Sequence, residues 1–179
     1  KDFYQYGLEL DWSFDNHVDI YSLTPQYLST DAIPLENLGT LVGNAEFFSA
    51  ALNIPLSKFI EVASLEQLVK MMEKGRIKAI VFERIATMSS IQKYLKTPIH
   101  YRFLESMPAT LAVANTEEGK ALKDNLDAHI IKMATKKTFK RYGNYNTLPP
   151  QGEVPTSNKV TKELSIQPVT QRPENPVKL

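Results

Sequence analysis

The sequence predicts an α/β fold in which helices cover both faces of a parallel or mixed sheet, giving three layers. Two observations support this prediction. Between residues 64 and 83, an amphipathic helix leads through a glycine into an apolar strand. The same alternation of strand and helix patterns extends on both sides, from about residue 35 to residue 95. Such alternation is typical of parallel strands that are joined by right-handed helical crossovers.

The clearest local signals lie within residues 64–83. Ser64, with Gln67 three positions later, has the spacing of a capping box, which starts a helix. Apolar residues then recur at helical spacing: Leu65, Leu68, Val69 and Met72. Gly75 follows the last of them and can adopt the left-handed conformation that ends a helix. The apolar residues 77–82 are therefore predicted to form a buried strand.

Neighbouring segments repeat this pattern. Residues 38–43 predict a short strand, and residues 44–52 predict a helix that Asn44 caps. A further strand is expected at Phe59–Val62 and a further helix at residues 84–95, before Pro98. We interpret residues 34–108 as one α/β lobe.

The aromatic-rich residues 1–33 precede this lobe. Alternating side chains predict a half-buried strand at residues 4–12, a turn at 13–17 and a second strand at 18–23. Asp11, Asp15 and Asp19 recur every four residues, which is compatible either with an acid and base pair or with a solvated strand or turn.

Residues 109–146 are predicted to form a return strand and a closing helix. Two extended pieces, at 99–103 and 109–114, are separated by Met107 and Pro108. Asn115 and Glu118 have the spacing of a capping box for a long helix. Its apolar stripe consists of Leu122, Leu126, Ile130 and Met133.

The segment 147–179 differs in composition from the rest of the chain. It holds six of the 11 prolines and no aromatic residue. Such a segment buries too little apolar area to offset its ordering entropy, so an extended or disordered tail is predicted. A tail of this kind suits docking to a partner, for example a membrane complex.

Composition narrows the possible functions. The 179 residues have a formal net charge of +1, so no strong field favours nucleic acid. The chain has 0 cysteines, and its three histidines, His17, His100 and His129, lack a metal-binding spacing. No catalytic or phosphate-binding motif occurs, and no apolar run approaches the ~18 residues of a membrane span. We therefore expect no enzyme, no cofactor, no metal and no membrane span. Because residue 1 is Lys rather than Met, we also expect a processed or trimmed chain.

Three stretches, taken together, resemble one family. They are LENLGTLVG at 35–43, SLEQLVKMMEKGRIKAIVFE at 64–83 and LAVANTEEGKALKDNLDAHIIKMATKKTFKRY at 111–142. In order and spacing they resemble the second lobe and closing helix of type II periplasmic solute-binding proteins, in particular the amino-acid-binding proteins of ABC transport. The resemblance implies a periplasmic location and two α/β lobes that enclose a small solute, with a first lobe that is partial or reduced here. It also implies that residues 1–33 are the remnant of this first lobe or a segment that crosses between lobes.

The resemblance also implies the site residues. Glu83 falls on the position of the carboxylate that holds the ligand's ammonium group. Asn44 and Ala45 begin the helix whose amides bind the ligand's carboxylate, although Glu46 beside them would oppose an anion. Lys78 replaces the family's usual Asp, and the arginine of the first lobe has no match.

Two functions follow from these residues. The first is binding of a small amino-acid-like solute between lobes, for transport or sensing. The alternative is a structural or adaptor component of a larger envelope assembly, in which the binding fold is retained, the pocket has decayed and residues 147–179 dock the partner.

Overall fold

The computed structural model describes residues 3–135 and 145–155, which form a six-stranded sheet with helices on both faces. The strands are β1 (Gly7–Ser22), β2 (Leu38–Leu41), β3 (Phe59–Val62), β4 (Ala79–Glu83), β5 (His100–Ala114) and β6 (Gln151–Glu153). The helices are α1 (Ala45–Leu52), α2 (Leu65–Glu73), α3 (Arg84–Tyr94) and α4 (Glu117–Thr135). Short 3-10 turns lie at Phe3–Gln5, Pro25–Leu28, Thr30–Ala32 and Leu56–Lys58.

The strand order is β3-β2-β4-β1-β5-β6. β2 pairs in parallel with β3 and β4, whereas β1 is antiparallel to both β4 and β5. The predicted three-layer α/β fold with a mixed sheet is therefore confirmed. One apolar core lies between the sheet and α2 and α3, and a second lies on the face that α1 covers.

The helix, glycine and strand unit is present as predicted. Ser64 Oγ accepts a hydrogen bond from the Gln67 amide at 3.2 Å, which caps α2. The inward face of α2 is fully buried at Leu68, Val69 and Met72. Gly75 has a φ of 68°, the left-handed conformation expected where the helix ends. The chain then enters β4, which lies between β2 and β1 in the sheet.

Two helix caps differ from the prediction. Asn44 precedes α1, but with a φ of −108° and ψ of −15° its side chain caps no amide. Instead, Asn44 Nδ2 donates to the carbonyl oxygens of Leu41 and Val42. Before α4, Thr116 takes the capping role predicted for Asn115, because Thr116 Oγ1 accepts from the Gly119 amide at 3.0 Å.

The longest strands were predicted in pieces. β1 is continuous through the predicted turn at residues 13–17 because β5 pairs with it from Gly7 to Ser22, with register shifts that absorb the irregularities. β5 likewise runs through Pro108, which is opposite Asp15. Proline is tolerated there because β6 pairs only with residues 100–102, so β5 is an edge strand at Pro108.

A small unit lies beyond the main sheet. It consists of the first half of β1, the second half of β5 and α4. Lys123 on α4 pairs with Asp11 on β1 and with Asp127, and the Asp11 amide donates to Asp127. Of the predicted stripe on α4, Ile130 is buried, whereas Leu122 and Met133 are 51% and 43% exposed. The predicted stripe therefore matches the packed face of α4 only in part. The paired strands β1 and β5 cover just one side of the helix, so Leu122 and Met133 of the stripe stay exposed.

The segment from residue 145 to residue 155 packs against the sheet. Its strand β6 pairs with the start of β5, and Val154 is buried. Tyr101 donates its hydroxyl hydrogen bond to the Pro149 carbonyl at 2.9 Å. A tail that is independent of the domain can therefore begin only after Pro155, and residues 156–179 of the predicted tail lie outside the described residues.

We predict that a chain ending at Asn146 unfolds several degrees below a chain ending at Pro155. Shortening the chain removes β6 and the buried Val154, and burial of a valine contributes about 1.5–3 kcal/mol. Thermal unfolding followed by circular dichroism measures the difference. The exposed-residue substitution Gln151→Ala in the longer chain is the control. Equal melting temperatures for the two lengths would show that this segment contributes nothing to stability.

Candidate functional site

The candidate site lies at the edge of the sheet where the parallel strands β2, β3 and β4 reach their carboxyl ends. Ligands of open α/β sheets bind outside this edge. Gly43 and Asn44 follow β2 here, and Glu83 is the last residue of β4. The predicted residues Asn44, Ala45 and Glu83 thus share one edge of the sheet.

A side chain of the protein itself contacts the start of α1. The Ala45 amide donates a hydrogen bond to Glu61 Oε1 at 2.8 Å. Glu61 lies on β3, opposite Thr40 of β2, which brings its carboxylate to the helix end. A carboxylate is stabilised there by the free amides and by the helix dipole. The position predicted for a ligand's anionic group is thus filled by Glu61, and Glu46 adds a second acidic residue in the first turn.

Glu83 has a structural role that the sequence did not predict. Its carboxylate caps α3 by accepting hydrogen bonds from the Ile85 amide at 2.9 Å and the Ala86 amide at 2.5 Å. Burial raises the pKa of the Glu83 carboxyl above its usual range, and the Asp19 charge adds to the rise, while the two amides oppose it. The carboxylate is consequently held in one orientation and partly withdrawn from water.

Next to Glu83 lies a buried ion pair. Arg84, the first residue of α3, donates from Nε and Nη2 to the two carboxylate oxygens of Asp19, both at 2.7 Å. Tyr21 donates to the same carboxylate at 3.0 Å, and Arg84 Nη1 donates to the Tyr145 carbonyl at 3.1 Å. The guanidinium group also lies over the ring of Tyr101, 5.4 Å from its centroid. All of its contacts are with the protein's own groups.

This ion pair gives Asp19, one of the three aspartates, a structural role. Asp19 is fully buried and paired, whereas Asp11 is exposed and bound to Lys123. Asp11 and Asp19 lie eight positions apart on β1, a span of about 26 Å. These two carboxylates therefore cannot act together as an acid and base pair. The sequence contains one indication that Asp19 is buried, since it lies between the apolar residues Val18 and Ile20.

The histidines do not converge. His17 packs edge-on against Phe103, with 5.0 Å between the ring centroids, and burial lowers its pKa, as does the Arg84 charge. His129 bonds to the Asn125 carbonyl of its own helix. Within residues 3–135 and 145–155, no group of three side chains of the metal-binding types comes together, and no helix is long and apolar enough to cross a membrane.

An open groove of about 720 Å³ lies away from the candidate site. Its walls are formed by the turn at Pro25–Leu28 and by the paired ends of β5 and β6. His100, at the start of β5, is opposite Ser22, whose hydroxyl bonds to the Lys78 carbonyl just before β4. The groove is therefore at the amino end of the parallel strands, opposite Glu83, and we assign no solute to it.

The fold is that of the type II periplasmic solute-binding proteins, as the sequence resemblance predicted. An amino acid ABC transporter substrate-binding protein, AbpA from Streptococcus pneumoniae, superposes with a TM-score of 0.59 at 16% identity, over 79% of this chain and 61% of that one. A mutant of ArgBP from T. maritima gives 0.59 at 12% identity, over 83% and 65%.

The GluR0 ligand-binding core in complex with L-glutamate superposes with a TM-score of 0.62 at 10% identity, over 77% of this chain and 62% of that one. This chain therefore spans less than two thirds of the length of these proteins. At such identities the similarity shows the fold. No protein-family model matches the sequence, and no curated protein is significantly similar to it.

We predict that Arg84→Met lowers the free energy of unfolding by about 3–5 kcal/mol, because it leaves the buried Asp19 carboxylate without its partner. Adding Asp19→Leu to this variant should recover part of the loss, since both buried charges are then gone. Urea unfolding of both single variants and the double variant measures the coupling.

The exposed pair between Lys70 and Glu66 provides the control, because Lys70→Met should leave stability nearly unchanged. A loss for Arg84→Met as small as that of the control would contradict a stabilising role of the ion pair.

Proposed function

We propose that this protein is a non-catalytic, periplasmic solute-binding protein that holds a small amino-acid-like solute at the carboxyl edge of its parallel strands. The observation that supports the proposal is Glu83, a partly buried carboxylate fixed by two amides at the end of β4, the parallel strand that pairs with β1. No cationic side chain of the described residues pairs with it. Such a carboxylate suits the ammonium group of a solute.

The capping role of Glu83 is compatible with ligand binding. A carboxylate offers about four lone-pair positions, and the two amides use two of them. The remaining positions can accept hydrogen bonds from an ammonium group. The amides also fix the carboxylate before a solute arrives, which lowers the entropy lost on binding.

Of the two predicted residues at the start of α1, Ala45 is proposed to bind the anionic end of the solute through its amide. The Asn44 amide donates to the Leu41 carbonyl at 3.1 Å and is not available for an anion. The solute's carboxylate would then displace Glu61 from the Ala45 amide. Exchange of one carboxylate for another conserves the charge at the helix end, so the exchange requires only that the Glu61 side chain turn into solvent. Because Glu61 is an exposed residue, this movement needs no change in the core.

The comparisons support this class of solute. AbpA is described with bound L-arginine and the GluR0 core with L-glutamate, and both have the fold seen here. A thermal-shift screen with these two amino acids at millimolar concentration is the first test. A ligand at 100 times its dissociation constant stabilises the folded state by roughly 2.7 kcal/mol.

The adaptor function is the second candidate, and Glu61 is the observation that favours it. A protein whose own carboxylate fills the anion position needs no solute there. Large apolar side chains are also exposed on the unit that contains α4, including Leu111 at 56% and Ile131 at 52%. In this case the part of the predicted tail that follows Pro155 would dock an envelope partner, and the screen would find no solute.

We predict that Glu83→Gln weakens amino-acid binding by about 1.5–3 kcal/mol, the range for a hydrogen bond to a charged group. The same variant should change the free energy of unfolding little, because the Gln amide oxygen can still accept from the backbone amides of α3 and burial disfavours the charge that is removed. Calorimetric titration and urea unfolding measure the two effects, with the exposed-residue variant Glu73→Gln as the control.

The pH dependence distinguishes a direct contact from a structural effect. Because the pKa of Glu83 is raised, the carboxyl is protonated at a higher pH than an exposed glutamate and then no longer attracts an ammonium group. Affinity should fall as the pH decreases through this raised pKa, and the Gln variant should lack that fall. An unchanged dissociation constant for the variant would remove Glu83 from the site.

We predict that Glu61→Ala strengthens binding of L-glutamate and L-arginine several-fold, because it frees the Ala45 amide and removes a negative charge. The control is Glu46→Ala, which removes one charge from the same helix end without freeing the amide. Titration calorimetry of both variants gives the comparison. Equal gains for the two would assign the effect to charge alone, and weaker binding in Glu61→Ala would contradict the proposed exchange.

A further inference from the structure

Asn16 on β1 has an acceptor atom that nothing in the described structure satisfies. Its Oδ1 is buried, yet it has no hydrogen-bond partner among the described residues. Buried polar atoms in folded proteins are almost always hydrogen-bonded, and an exception calls for an explanation. A group that binds from outside the chain is one such explanation, because it would restore the missing hydrogen bond.

The strand register places Asn16 beside Glu83. Val18 of β1 is directly opposite Glu83 of β4. Side chains two residues apart on a strand lie on the same face, so Asn16 is the diagonal neighbour of Glu83. Diagonal neighbours have Cβ atoms roughly 7–8 Å apart, a gap that one small polar group of a ligand can bridge.

The pairing of β1 with β4 ends at this point. β4 ends at Glu83, and the chain continues into α3, so the pairing of β1 with β4 stops at Val18. Asn16 is therefore just beyond the carboxyl end of β4, at the edge where the solute is proposed to bind. On its other side Asn16 is opposite Met107 of β5, whose side chain has no hydrogen to donate.

The two acceptors suit a cationic amino group. An ammonium group has three donors, and a carboxylate beside a neutral amide oxygen can accept from it without adding a second charge. The nearby guanidinium of Arg84 does not compete, because Asp19 and the Tyr145 carbonyl hold it. Glu83 would supply the charge and Asn16 the second acceptor.

We propose that Asn16 contacts the solute directly and accepts a hydrogen bond from the same amino group that Glu83 binds. This inference rests on the proposed function and adds a recognition residue from the crossing strand β1. It explains why a polar side chain lies next to Val18 and Met107, two apolar neighbours, on this face of the strand.

The test compares Asn16→Leu with the native protein by calorimetric titration. The probes are L-arginine and L-glutamate, each next to the analogue in which a hydroxyl group replaces the α-ammonium group. Loss of one hydrogen bond to a charged group should weaken binding of both amino acids about tenfold or more. The hydroxy analogues should bind the variant and the native protein alike, within about twofold.

A measurement of stability distinguishes a ligand contact of Asn16 from a structural role of this residue. Replacing the half-buried Asn16, whose buried oxygen is unsatisfied, with an apolar side chain of similar size should leave the melting temperature unchanged or raise it. The matched control is Thr87→Val, which removes another buried and unpartnered oxygen, on α3, and should leave affinity unchanged. Should Asn16→Leu fail to fold, Asn16→Ser provides the same comparison of amino acids with their analogues.

Each outcome decides between the proposals. Weaker binding of the amino acids alone, with stability retained, supports the contact. If the affinities of amino acids and analogues fall equally, or do not change while Glu83→Gln weakens binding, Asn16 is not a ligand contact and the proposed function stands. If the native protein binds neither amino acid at millimolar concentration, the proposed function fails and this inference fails with it.

Discussion

The buried ion pair between Asp19 and Arg84 is the interaction on which the arrangement of the site depends. It ties the crossing strand β1 to the first turn of α3, and through the Tyr145 carbonyl it reaches the segment that adds β6 to the sheet. A buried arginine is tolerated only when its donors are satisfied, so these segments must come together for any of them to be stable. Glu83 is adjacent in sequence to Arg84, and its position follows from this pairing.

Carboxylates at the ends of two helices define the chemistry of the candidate edge. Glu83 caps α3 and Glu61 caps α1, so both helix ends are satisfied by the protein's own groups. The two carboxylates differ in the hydrogen-bonding groups that they leave available at the helix ends. Glu61 occupies the amide that an anion would need, whereas Glu83 keeps lone pairs for a cation. Under the proposed function, this edge would bind the amino end of a solute more readily than its carboxylate end until Glu61 moves.

The long strands β1 and β5 connect this lobe to a smaller unit built with α4. Two strands and one helix bury little apolar area, and Leu111, Leu122, Ile131 and Met133 remain exposed on this unit. The Lys123 contacts to Asp11 and Asp127 hold α4 against β1. The polar contacts of Lys123 thus help to position the unit, in addition to its small apolar core.

The sequence alone determined the elements whose signals are local. The α/β class, the cap at Ser64, the buried face of α2, the turn at Gly75 and the edge that contains Glu83 all follow from spacing within a few residues. The tertiary structure decided what depends on distant partners. Whether residues 13–17 turn or extend is set by pairing with β5, more than 90 positions further along the chain, as in the pair of Phe14 with Ala109. The cap by Glu61, the ion pair of Asp19 and the place of Asn16 likewise arise only when separate parts of the chain become neighbours. The cap by Glu83 is different, because it joins residues only two and three positions apart and is therefore local.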